Sequence, residues 1–169
     1  MKINVNGGKF TYGGTADVVN VKVAEDAYLY GGTFTVNDMT AELATGLTDK
    51  ETGKFINHGT IGAASADTNQ VINGSLESDG TLEAYAGGPQ GQIVVSGTAN
   101  INDSKISASH ALPGETLTVL TAGTVNGNLA NPVGKPYKAS GMLVTTGEID
   151  TNTVKVTTQA ANNLGEMTA

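Results

Sequence analysis

Six Gly-Thr dipeptides, at Gly14, Gly32, Gly59, Gly80, Gly97 and Gly123, divide this chain at uneven intervals, the longest from Gly32 to Gly59. Each is closely followed by apolar residues at alternating positions. A recurrence of about 20 residues marks a solenoid, in which one short unit is reused with variable insertions. Two units are near copies, because Tyr12-Gly13-Gly14-Thr15 returns as Tyr30-Gly31-Gly32-Thr33. Val19-Asn20-Val21-Lys22-Val23 is the clearest alternation, with valines on one face and Asn and Lys on the other. Short strands broken by Gly cannot each bury a face alone. Stacking them joins the inward valines and leucines into one column and leaves Thr and Asn facing water.

The pattern therefore predicts an all-β chain, a parallel β-helix, with a β-sandwich as the alternative. A sandwich would not require the Gly-Gly-Thr corner to recur at the interval of one coil. Residues 1–112 form the expected coils, interrupted by an insertion over 38–54. Within the insertion, Asp38 to Ala44 reads as a helical turn capped by Asp38, and Thr48 to Lys54 as a polar, protruding hairpin. Residues 113–158 form the expected C-terminal cap. There Thr116 to Leu120 is a longer strand, and Met142-Leu143-Val144 pairs with Val154-Lys155-Val156 as a hairpin. Such a unit covers the open end of a repeat array. Residues 159–169, with Asn162-Asn163-Leu164-Gly165, read as a linker or the start of a helix.

Composition narrows the function classes. Among 169 residues, 9 Lys and Arg stand against 16 Asp and Glu, a net charge of −7, and all the cations are lysines. Without arginine or a basic stripe, nucleic acid and anionic membranes are poor partners. There are no cysteines, so neither a disulfide framework nor a thiolate metal site is possible. Met1-Lys2-Ile3-Asn4 has no apolar run of the signal-peptide kind. The expectation is a segment cut from a longer exported protein.

Gly13-Gly14-Thr15-Ala16, the valine strand after it, and Tyr30-Gly31-Gly32-Thr33 resemble the Gly-Gly-Thr repeats of bacterial autotransporter passenger domains. Pro113 to Ala122, followed by Val125-Asn126-Gly127-Asn128-Leu129, resembles the strand near a passenger's C-terminal end. Ala160 to Gly165 is similar to the segment leading into the membrane barrel. The resemblance implies a right-handed parallel β-helix, exported by type V secretion and anchored at a Gram-negative cell surface through an outer-membrane barrel. It implies C-terminal coils that help nucleate folding, and a family that includes adhesins and self-associating factors. Expected partners are a host-surface or matrix ligand, another copy of the chain, and its own barrel.

No catalytic, cofactor-binding or metal-binding residue is assigned. His58 and His110 are far apart, and no Gly-x-Ser-x-Gly elbow occurs. Glu77, Asp79 and Glu83 are the carboxylates that a polysaccharide-active β-helix enzyme would gather on one face, and outward solvated acids are the plainer account of them. Asp49 with Glu51, and Asn102 with Asp103, lack the spacing of a dedicated Ca²⁺ loop. The expectation is a non-enzymatic adhesive or self-associating stalk, with the enzyme and a pure spacer as alternatives.

Overall fold

The computed structural model describes residues 1–42, 48–138 and 143–161, with the backbone alone described for 39–42 and 48–51. Among these residues every regular element is a strand. The first pass of the chain contains β1 (Lys2–Val5) and β2 (Gly8–Val18), and the second β3 (Asn20–Val23) and β4 (Ala27–Val36). A two-stranded excursion follows, β5 (Met39–Glu42) and β6 (Thr48–Glu51). The third pass holds β7 (Lys54–Asn57), β8 (Thr60–Gly62) and β9 (Gln70–Asn73). The fourth begins with β10 (Leu76–Ser78) and β11 (Thr81–Tyr85) and ends in β12 (Ile93–Asn100), which also starts the fifth. The fifth continues through β13 (Lys105–Ser109) and β14 (Thr116–Asn126). The chain then runs through β15 (Tyr137–Lys138), β16 (Leu143–Asp150) and β17 (Thr153–Ala160).

Successive passes pair in parallel in three columns. The first is β1, β3, β7, β10 and the ends of β12 and β14. The second is the first half of β2 and of β4, then β8, β11 and β13. The third is the second half of β2 and of β4, then β9, β12 and β14. Because β4, β12 and β14 turn corners and serve two columns, fifteen strands belong to one hydrogen-bonded network. Side chains alternate across a strand, so each column buries one set. Val21, Phe55, Leu76 and Ala99 are stacked partners in the first column. Leu29, Ile61, Leu82 and Ile106 line the second, with Phe10 at their head. Phe34, Ile72, Val95 and Ala122 line the third. The buried members of the three rows form one continuous apolar core.

The six Gly-Thr dipeptides are not one repeated corner. Gly14 and Gly32 turn the chain from the second column to the third, and Thr15 pairs with Thr33. Gly59 and Gly80 open the second column, with Thr60 paired to Thr81. Gly97 and Gly123 return the chain to the first column, with Thr98 paired to Thr124. The intervals Gly14 to Gly32, Gly59 to Gly80 and Gly97 to Gly123 are thus full passes, whereas Gly32 to Gly59 and Gly80 to Gly97 also change corner. The insertion falls in the pass whose partners are Asn20 and Lys54, nearly twice as far apart in sequence as the partners Lys2 and Asn20. Close approach explains the glycine at one such corner: a Cβ on Gly80 would collide with the backbone carbonyl of Gly59. Beneath it, fully buried Asn57 accepts from the Gly59 amide (3.0 Å) and donates to Ser78 Oγ (3.2 Å) and Thr81 O (3.1 Å).

The helical turn expected after Asp38 is absent, since Met39–Glu42 is a strand paired antiparallel with Thr48–Glu51. An isolated helix this short is marginal, and the nearby strand supplies the backbone partners instead. Asp38 caps nothing helical; its carboxylate accepts from the Gly53 amide at 2.8 Å and closes the neck of the hairpin. Strand residues expected around Met142 and the segment Asn162 to Gly165 lie outside the described residues.

Beyond the fifth pass the pairing turns antiparallel. β17 pairs with Thr116–Thr121 of β14, and β16 pairs with β17 along its whole length. The hydrogen-bonding edge of β13 is covered differently. Ala130 N donates to Ser104 O at 2.8 Å, and the buried Asn131 amide continues the ladder with its side chain. Asn131 Oδ1 accepts from Ile106 N and Nδ2 donates to Ile106 O, both at 2.8 Å, with a further donation to Thr145 O at 3.0 Å.

Candidate functional site

The outward face of the second column holds the richest chemistry. Strand alternation there buries Ala27 and Leu29 and turns Tyr28 and Tyr30 outward. Parallel register then sets the rows. Lys9, Tyr28, Thr60, Thr81 and Lys105 follow one another down one row, and Thr11, Tyr30, Gly62, Glu83 and Ser107 down the next. Tyr85 and Ser109 begin a third row. The third pass contributes only Thr60, Ala63 and Ala64, so a groove of about 520 Å³ opens between larger side chains on either side.

Its walls are aromatic. Lys9 Nζ lies 4.8 Å from the centre of the Tyr28 ring, and Tyr28 and Tyr30 stack with centroids 6.3 Å apart. On the opposite side His110, in the left-handed region at φ 60°, lays its imidazole on Tyr85 with centroids 4.2 Å apart and planes 10° apart. Tyr137 closes the far end beneath Lys105 Nζ, 4.9 Å from its ring centre.

Glu83 lies on the floor between the walls. Gly62 separates it from Tyr30 in the row, and that missing side chain lets the Tyr30 hydroxyl reach the Glu83 carboxylate two strands away. Burial raises the Glu83 pKa above the ordinary glutamate value, against the Tyr30 hydrogen bond and the charges of Lys9 and His110, which lower it. Tyr30 is raised as well, first by burial and then by the negative Glu83 beside it.

A carboxyl whose folded pKa is raised holds its proton more tightly folded than unfolded. Its ionisation therefore removes stability as pH rises from the unfolded value of about 4.5 through the folded one. Glu83→Gln, which keeps an acceptor for Tyr30, is expected to raise the melting temperature at pH 7. The gain should shrink as pH falls and vanish below about pH 4, where both states carry the proton. Thermal unfolding of both proteins between pH 3.5 and 8 checks this, and a gain that does not vary with pH would contradict it.

Of the three carboxylates singled out in the sequence, Glu77 and Asp79 line one small hollow, and Glu83 lies apart from them. Glu77 lies on the first column and pairs with Lys54 Nζ at 3.0 Å. Asp79, at the corner, contacts His58 Nδ1 at 2.7 Å. Glu83 alone of the three lines the groove. Asp103 Oδ1 accepts from Asn128 Nδ2 at 2.7 Å, and Asp49 and Glu51 belong to β6, of which only the backbone is described. Among the described residues no three His, Asp or Glu side chains cluster closely enough to hold a metal ion. His110 is brought to the groove and His58 to the corner beside it. The tyrosines escaped the sequence reading. The alternation in Ala27-Tyr28-Leu29-Tyr30 was the available signal, since it sets two aromatic rings on the water side of a strand.

A larger hollow, about 910 Å³, lies at the first pass among Ile3, Val5, Phe10, Ala16 and Phe34. It is the end of the apolar core, where Phe10 is 54% exposed despite heading an inward row. No protein family, characterised protein or solved structure matches the chain.

Proposed function

We propose that the chain is a non-catalytic segment of a surface-displayed autotransporter passenger, acting as an adhesive or self-associating stalk. In this reading the five passes are coils of a right-handed parallel β-helix and residues 113–158 close its C-terminal end. The observation that carries it is the parallel, in-register pairing of successive passes in three columns, ended by the antiparallel β17 and the Asn131 bridge. Stacked passes present side chains at the strand spacing of about 4.8 Å along each outer face. Many weak polar contacts on such a face add up when two rods, or a rod and a surface, lie side by side.

The groove on the second column favours binding over cleavage. Hydrolysis of a glycosidic bond ordinarily needs two carboxyl groups about 5–10 Å apart across the scissile bond, and among the described residues Glu83 is the one carboxylate lining the groove. The test is to display the chain, fused to an outer-membrane barrel, on bacteria that neither clump nor attach. Clumping, or attachment to matrix-coated surfaces, is the expected gain. Cells that do neither overturn the adhesive reading.

A further inference from the structure

The groove has a shape that its rows define. Lys9, in the first pass, covers one face of Tyr28, and His110, after the fifth-pass strand, covers one face of Tyr85. The Tyr85 ring therefore stands with its face along the column. Its uncovered face looks toward the third pass, where Thr60, Ala63 and Ala64 are short, and leaves a slot open over Ala63 and Ala64. A saturated six-membered ring rests on such a face at about 3.5–4.0 Å.

The polar groups around the slot are those that pair with hydroxyls. Glu83 accepts, and Thr60, Thr81, Ser107 and Ser109 can donate or accept. Formal charge in the lining is balanced: Lys9 opposes Glu83. Lys9 lies over a tyrosine ring, as does Lys105 at the neighbouring corner, and the chain has no arginine to clamp an acid group. An anionic ligand would meet the Glu83 carboxylate on the floor, whereas an uncharged polyol meets only hydrogen-bonding partners and ring faces.

We propose that this slot binds a neutral oligosaccharide, with one pyranose ring seated over Ala63 and Ala64 on the open face of Tyr85. Glu83 accepts hydrogen bonds from the ring hydroxyls, and Tyr30 holds the carboxylate in place. This site deepens the adhesive reading and rests on it for its biological role, but its chemistry can be tested separately.

The 169-residue chain is titrated with hexasaccharides of β1,4-glucose, α1,4-glucose and β1,4-N-acetylglucosamine, and with hexagalacturonate as the anionic contrast, following amide chemical shifts. At least one neutral hexasaccharide is expected to saturate, with shifts centred on residues 60–64 and 81–85. Tyr85→Ala, which removes the ring face, and Ala64→Phe, which fills the slot from its floor, are each expected to weaken that binding about tenfold or more. Circular dichroism and thermal unfolding establish that each variant is folded, and either folded variant suffices. The proposal is overturned if no neutral hexasaccharide binds, if hexagalacturonate binds more tightly, or if a folded variant binds as well as the parent. Cells that clump while the chain binds no neutral sugar would remove the saccharide proposal alone. Sugar binding with cells that neither clump nor attach would remove the adhesive reading alone.

Discussion

Phe55→Ala is expected to destabilise the fold by about 3–5 kcal/mol, the range for deleting a fully buried aromatic ring. Phe55 has no exposed surface and lies between Val21 and Leu76 in the first-column row. Its ring meets the edge of Phe34 from the third column at 5.5 Å, so it bridges two walls of the core. The cavity cannot readily collapse, because strands above and below are held at fixed spacing by parallel backbone bonds, and cost grows with the volume that remains. Phe10→Ala supplies the contrast. That ring heads a row but is 54% exposed, so its loss should cost well under half as much. Urea titration of the two variants measures both values, and equal losses would contradict the assigned rows.

Asn131→Ala should cost about 2–4 kcal/mol, from lost hydrogen bonds and a stranded buried donor. The Asn131 amide stands in for a strand, satisfying Ile106 N and sharing Ile106 O with the Thr145 hydroxyl, which donates at 2.9 Å. In the variant Ile106 O keeps Thr145, whereas Ile106 N loses the acceptor it has. Deuterium exchange locates the effect. Faster exchange is expected at Ile106 first, with the paired strands of β16 and β17 largely retained. Uniform acceleration across the chain would show instead that the bridge holds the whole fold.

How much of this was legible follows from what the alternation encodes. Val19 to Val23 gives its own inward face, and β3 buries Val21 and Val23 as that pattern requires. The Gly-Thr spacing reveals recurrence but not phase. Nothing local tells whether Gly32 to Gly59 is one pass with an insertion or a pass that changes corner. The segment after Asp38 has helical composition, and only the proximity of Thr48–Glu51 decides for strand. The groove was the least legible part. Lys9, Tyr30, Glu83 and His110 come from four different passes, and their meeting depends on register carried through passes of unequal length. Glu83 reads as an outward acid from its strand, and it is the aromatic walls and the gap at Gly62 that bury it.

The neck at Asp38 and Gly53 bears on how such a chain can change. The sequence separating Asn20 from Lys54 is nearly double that separating Lys2 from Asn20, yet both pairs lie in the same unbroken row. Position in the molecule is therefore indexed by strand, not by residue count. Foreign sequence grafted between residues 42 and 48 would be carried outward on its own stem while the ladder closes beneath it. A protein organised this way gains new surface by lengthening its loops, and the genetic route to variety is insertion as much as substitution.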